Sequence, residues 1–227
     1  MGKLNFLGKH LESLSLSETH SKYLSKRGVD QNSSVKFSTW TPMGFKSPCN
    51  RFTHSFGENG FKIKNQIVYP IYSPRDEILG IEAQKRGEDG SKRVFQYRTD
   101  SSQWNPYFLN SKKAFQSLWD GCDLWIVEGV FDLIALEKAI PPCDTVISTL
   151  RAGMDQISMQ MISQYFKRPS KIYIAYDNDE TGIKKSRWLR NEFLKRNVEC
   201  EIWKYRGNDP NEVWSKGGDH ALRRMFL

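Results

Sequence analysis

Five acidic side chains fall at similar places in this sequence. Glu128 closes the apolar run LWIVEG, Asp132 follows it by four residues, Asp177 and Asp179 lie in AYDNDETG, and Asp209 lies in GNDPNE. Carboxylates brought to one place repel and raise one another's pKa, and a divalent cation bound among them removes that penalty. Their hard oxygens suit Mg2+ or Mn2+. Each position has an ordinary alternative: Glu-Gly after a strand is usually a turn, and Asp-x-Asp is usually a solvated loop or a helix cap. The conjunction of such places shifts the balance toward a shared site.

Positioning these groups is a matter of the elements around them. After Trp119 the chain alternates strand-like runs (LWIVEG, DTVISTL, KIYIAYD, CEIWKY) with helical segments (FDLIALEKA, MDQISMQMISQYF, GIKKSRWLRNEFLKRN). That alternation predicts a mostly parallel sheet flanked by helices, in which ligands bind beyond the carboxyl ends of the strands. Glu128 and Asp177 sit at such ends, and Asp209 follows the expected strand from Cys200 to Tyr205. Asp132, in the first turn of a helix, can point back toward the strand it follows. Asp177 and Asp179 share a side if extended geometry continues through Asn178.

The first half is built differently. SLSETHSKYLSKRG predicts a helix near Ser17 to Arg27, with Ser15 and Glu18 in capping-box spacing and Gly28 as a stop. Residues 31 to 60 show little periodicity and are expected to be irregular. From Phe61, β-type runs separated by PRDE and GEDG predict an antiparallel meander. This half holds 18 Lys and Arg against 11 Asp and Glu up to Asp120, whereas residues 121 to 227 hold 16 against 15. A one-sided basic excess suits a polyanionic partner such as nucleic acid, although many basic faces are merely solvated. The expected division is a basic α+β subdomain over 1–120 and an α/β domain over 121–227. Trp104 and Trp119 are candidates to stack on bases, with core packing favoured.

No stretch approaches the roughly 18 consecutive apolar residues of a membrane helix, and the amino terminus lacks the apolar core of a signal peptide. No membrane association and a cytoplasmic location are expected. Cys49, Cys122, Cys143 and Cys200 stand singly, without zinc-ligand spacing. No zinc is expected, and the thiols read as reduced and at least half-buried.

Glu-Gly-x-x-Asp after one strand, followed about 50 residues later by Asp-x-Asp-x-x-Gly after another, resembles the Toprim domain of primases, topoisomerases and some nucleases. The flanking IVYPIYSPRDEILGIEAQ, YFLNSKKAFQSLW and YLSKRGVD are similar to the catalytic core of DnaG-type DNA primases from bacteria, phages and plasmids. The resemblance spans roughly Leu16 to Glu212 and is strongest from Glu128 onward.

The resemblance implies a catalytic core that makes short RNA primers on single-stranded DNA. In that reaction a 3'-hydroxyl attacks the α-phosphate of a ribonucleoside triphosphate and pyrophosphate leaves. It makes Glu128, Asp132, Asp177 and Asp179 catalytic, with Glu128, Asp177, Asp179 and Asp209 holding Mg2+ or Mn2+. Glu128 serves as a ligand or as a base acting through water, and Gly182 lets the backbone turn into the basic helix. A second Asp-x-Asp of the family reads Asp209-Pro210-Asn211 here, so one metal site is weaker or built differently. Lys85, Arg86, Arg98, Lys112, Lys113 and Arg151 are the candidates for gripping template and triphosphate. The family's amino-terminal zinc module and carboxyl-terminal helicase-binding region have no counterpart in the sequence. A separate zinc-binding protein and a replicative helicase are accordingly further expected partners, in a bacterial or phage-infected cell. Two other functions remain open: a Toprim nuclease, which needs no basic meander, and a non-catalytic nucleic-acid scaffold, which usually carries a zinc motif.

Overall fold

The computed structural model describes residues 11, 13–39, 65–86, 92–98, 105–151, 153–167 and 170–226. Trp104 and Cys49 lie outside that set.

Two four-stranded sheets organise the chain. In the first, β1 (Ser38–Thr39), β2 (Ile67–Tyr72), β3 (Ile78–Arg86) and β4 (Lys92–Arg98) pair in sequence order, all antiparallel. This is the expected meander, extended by the short β1 within the stretch expected to be irregular. Before it, α1 (Glu18–Lys26) is capped by Ser17, whose hydroxyl accepts from the His20 N–H at 3.3 Å. Ser15 is not the cap: its carbonyl instead accepts from the Thr39 N–H at 3.0 Å, tying the helix approach to β1. Gly28 stops the helix at a φ of 84°, open to glycine without Cβ strain.

The second sheet is parallel, in the order β6–β5–β7–β8, with β5 at Leu124–Val127, β6 at Thr145–Ser148, β7 at Ile172–Ile174 and β8 at Cys200–Ile202. Around it lie α2 (Ser111–Trp119), α3 (Val130–Glu137), α4 (Gln156–Tyr165), α5 (Glu180–Leu194) and α6 (Pro210–Arg223). The strands are shorter than their apolar runs, because the chain leaves the ladder as it turns toward each helix.

Both faces of the parallel sheet are buried, which is why its strands are near-continuously apolar. Leu124, Ile126, Ile147, Ile172 and Ile174 face α2, α4 and α5. Trp125, Val127 and Val146 face the other way, into a core that also takes Leu24 of α1, Phe37, Tyr69 and Ile71 of the meander, Phe131 and Leu133 of α3, and Val213 and Leu222 of α6. The two halves therefore share one apolar core, with Phe37 stacked on Phe131 at 6.0 Å and edge-on to Tyr69 at 5.2 Å. Polar bonds reinforce the join. Leu109 pairs with Ser148 beside the edge strand β6, and Ser111 Oγ donates to the Tyr72 carbonyl at 2.8 Å.

Two side chains depart from expectation. Trp119 is 61% exposed, its ring covered by the Lys167 ammonium 3.4 Å from the centroid, so it is not a core residue. Cys143 is exposed, whereas Cys122 is half-buried and Cys200 buried. On α5, Gly182, Ser186, Leu189 and Phe193 form the buried stripe and Leu194 is exposed.

Candidate active site

The strand order gathers the acids. Because β5, β7 and β8 are adjacent and parallel, their carboxyl ends align: Ile126 pairs with Ile174 and Ile174 with Ile202. Glu128 follows β5, Asp177 and Asp179 follow β7, and Asp209 follows β8, all on one edge. Asp179 is the N-cap of α5, its Oδ1 accepting from the Gly182 N–H at 2.7 Å. Asp209 is the N-cap of α6, accepting from the Glu212 N–H at 2.6 Å. β7 has ended by Ile174, so helix capping rather than continued strand geometry sets Asp179. Each cap satisfies an otherwise unpaired helix N–H.

The acids press on one another in overlapping groups. Burial pushes the Glu128 carboxyl up to about 7, and the negative charges of Asp177 and Asp179 push in the same direction. Asp132 is buried, and burial followed by the charges of Asp209 and Asp177 holds its carboxyl well above the usual range. Its Oδ1 accepts from the Asn211 N–H at 3.1 Å. Among the described residues, no three acidic, histidine or cysteine side chains close into a formed metal cage. The acids line the edge without the full convergence their spacing suggested.

The donor set nevertheless fits a hard divalent cation. Glu128 Oε1 is buried without a hydrogen-bond donor, and such an oxygen is costly unless a cation or donor meets it. Beside it lies Gly182, where a Cβ would stand 2.1 Å from the Asp177 carbonyl oxygen and 3.0 Å from Glu128 Oε1. The glycine serves close approach inside the first turn of α5; its torsions are not in the left-handed region. This replaces the expectation that Gly182 eases a turn.

Several supports were not singled out in the sequence. Asn178, between the two aspartates, donates through Nδ2 to the carbonyls of Tyr205 and Gly207 at 3.0 and 2.6 Å, and its N–H donates to Asn208 at 2.7 Å. It staples the loop after β7 to the loop after β8. Tyr205 OH donates to the Tyr176 carbonyl at 2.8 Å, and Ser148 Oγ to the Glu128 carbonyl at 2.8 Å. An amide between two acids, carrying two donors, was the one available signal.

The basic candidates divide into three groups. Lys85 and Arg86 end β3 opposite Arg93 and Lys92 of β4, so four cationic residues share one end of the hairpin; the side chains of these four lie outside the described set. The Arg98 guanidinium lies 3.8 Å from the Tyr107 ring centroid. The Tyr107 phenol is raised by burial, with Arg98 opposing, Glu82 adding to the rise and Arg151 opposing it. Lys112 is paired with Asp76 at 2.5 Å, on the turn between β2 and β3. The charge of Lys113 is felt by Glu137. The structure thus sets Arg98 on the Tyr107 ring and pairs Lys112 with Asp76, while the charges of Arg151 and Lys113 are felt by Tyr107 and Glu137.

Comparison with known proteins follows the same outline. Residues 125–214 match the Toprim-like family. A DNA primase of Aquifex aeolicus is 25% identical over 239 residues, covering 95% of this chain and 46% of the relative; one of Rickettsia typhi is 27% identical over 229 residues, covering 90% and 37%. The chain thus spans less than half the length of these relatives. A crystal structure of the zinc-binding and RNA polymerase domains of the Aquifex aeolicus primase superposes with a TM-score of 0.72 at 22% identity, covering 96% of this chain and 59% of that one. A DnaG primase catalytic domain bound to single-stranded DNA gives a TM-score of 0.69 at 16% identity, covering 92% and 71%.

Proposed function

From the homology with DnaG-type DNA primases across their catalytic core, we propose that this chain is a primase catalytic core that joins ribonucleotides into short primers on a single-stranded DNA template. The observation that carries the reading is the buried, donor-free Glu128 Oε1 beside Asp177 and Asp179 at the carboxyl ends of adjacent parallel strands. In the reaction a 3'-hydroxyl attacks the α-phosphate of the incoming ribonucleotide, its proton leaves, and pyrophosphate departs.

Glu128, Asp177, Asp179 and Asp209 are the residues that would hold Mg2+ or Mn2+. Such ions lower the pKa of the attacking hydroxyl and neutralise charge developing on the phosphates. Glu128, whose carboxyl is pushed up to about 7, would hold such an ion as the carboxylate. Asp132 stays behind this row, buried against α6, where it feels the charges of Asp209 and Asp177. Arg98, on the Tyr107 ring, and Arg151 hold triphosphate or template phosphates, and Lys85 and Arg86 extend that grip along the hairpin. Lys112 is a weaker candidate, since Asp76 already engages it, and so is Lys113, whose charge is felt by Glu137.

In this reading residues 1–120 are the basic template-holding subdomain and 121–227 the Toprim domain, in the cytoplasm of a bacterial or phage-infected cell. A replicative helicase and a zinc-binding protein would supply loading and template selection. The basic hairpin favours synthesis over the nuclease alternative, which would use much the same carboxylates.

The deciding experiment incubates the purified chain with single-stranded templates, labelled ribonucleotides and Mg2+ or Mn2+. Template-dependent short RNA products support the reading. Degradation of the template without synthesis would assign the acids to a nuclease.

A further inference from the structure

Asn211 stands where the primase pattern carries a second carboxylate, yet it is neither exposed nor aimed at the row of acids. It is 1% exposed, in the first turn of α6. Its Nδ2 donates to the Arg27 carbonyl at 3.1 Å and to the Phe131 carbonyl at 3.3 Å, and its main-chain N–H donates to Asp132 Oδ1 at 3.1 Å. One residue therefore joins three places: the carboxyl end of α1, the main chain immediately before Asp132, and the Asp132 carboxyl.

The neighbourhood leaves little slack around these bonds. The Arg27 guanidinium lies 4.5 Å from the Phe131 ring centroid. A Cβ at Gly28 would meet the Trp214 ring of α6 at 3.0 Å, so α1 ends directly against α6. Pro210, buried at the start of α6, and the Asp209 cap fix the helix entrance. A carboxylate at 211 would offer only acceptors to the two carbonyls and would set a second charge beside Asp132 in a buried site, whereas the amide supplies two donors.

We propose that Asn211 is a positioning residue that couples the docking of α1 to the placement of Asp132, and through Asp132 to the cation affinity of the acidic edge. This rests on the reading of that edge as a divalent-cation site. The Asp132 carboxyl also lies against the main chain directly after Glu128, where a Cβ at Gly129 would stand 2.5 Å from Asp132 Oδ2, so a shift of that carboxyl displaces the segment that carries a group holding the ion. Hydrogen-bond partners one step removed from a metal's ligands commonly account for about 10- to 100-fold in affinity.

The test is Mn2+ binding by the whole chain, followed by electron paramagnetic resonance well below the melting temperature, with no nucleotide or template present. Asn211→Ala is expected to keep the fold and to weaken Mn2+ binding by about tenfold, with faster limited proteolysis near Lys26 and Arg27. Asn211→Asp separates positioning from ligation: an added ligand would tighten Mn2+ binding, whereas the positioning role predicts weakening. Leu24→Ala, which loosens α1 from the core without touching Asn211, should also weaken Mn2+ binding, and it decides the matter if both 211 variants fail to fold. Wild-type Mn2+ affinity in the folded Asn211→Ala or Leu24→Ala variant, or tighter binding in Asn211→Asp, would overturn the coupling while leaving the cation reading intact. Absence of Mn2+ binding by the wild-type chain would overturn both.

Discussion

Gly182 and Glu128 stand so close that a Cβ on the glycine would lie 3.0 Å from Glu128 Oε1 and, more severely, 2.1 Å from the Asp177 carbonyl oxygen. The second contact is with backbone and cannot be relieved by a rotamer change. Gly182→Ala should therefore push the loop after β7 away from α5, costing about 1–3 kcal/mol, the range for overpacking a filled site. Primer synthesis should fall far more than stability does. A thermal melt and a synthesis assay on the same preparation check this; full activity in the alanine variant would mean that the close approach has no part in the chemistry.

Asp179 has two duties that a pair of substitutions can separate. As N-cap of α5 it satisfies the Gly182 N–H, a role that asparagine fills about equally well and alanine does not. Asp179→Asn should retain wild-type stability within about 0.5 kcal/mol, and Asp179→Ala should lose about 1 kcal/mol. Both should abolish divalent-dependent synthesis. Wild-type synthesis by folded Asp179→Asn protein would remove Asp179 from the cation site.

Glu137 provides a pH signature away from the acidic edge. It accepts from Ser34 Oγ at 2.8 Å and Asn110 Nδ2 at 3.0 Å, and burial raises its carboxyl above the ordinary value despite those bonds. The folded state thus binds the proton more tightly than the unfolded one. Its contribution is most favourable below the ordinary glutamate pKa and is lost as pH rises through the raised folded value. Glu137→Gln, which cannot ionise, should show no such loss. Relative to wild type its melting temperature should rise by about 1–3 °C between pH 4 and pH 7.5. A difference that does not change with pH would assign the Glu137 interactions no ionisation penalty.

Template binding and chemistry should come apart under mutation. Lys85→Ala with Arg86→Ala should weaken binding of a labelled single-stranded oligonucleotide and flatten its salt dependence, each lost phosphate contact removing about 0.7 from the slope of log affinity against log salt. Asp177→Ala should retain metal-free oligonucleotide binding and lose synthesis. Titrations at several salt concentrations, with and without Mg2+, measure both. An unchanged slope in the double variant would move the template away from this end of the hairpin.

Much of the architecture could be read from residue types and spacing. The switch from a meander to alternating strands and helices after Trp119 reflects apolar period and turn chemistry, both local properties. So does the placement of Glu128, Asp177 and Asp209 at strand ends. The cap of α1 was missed by two residues, because Ser15 and Ser17 are both competent caps. Only the pairing of Thr39 with the Ser15 carbonyl and the Ser17 N–H decided between them.

Residue types and spacing mark which residues carry charge at the ends of buried strands. The tertiary structure alone decided which of those ends are neighbours. A continuous apolar run says that Ile126 and Ile174 are buried, but not that β7 rather than β6 lies between β5 and β8, and that order is what sets Glu128 against Asp177. The same holds for Asn211. Its identity suggested only a missing ligand, whereas its role follows from contact with Arg27, 184 residues away along the chain, and with Phe131, 80 away. Long-range contacts are selected by the packing of a shared core and not by local pattern, so a buried amide's partners become visible only once that core is assembled.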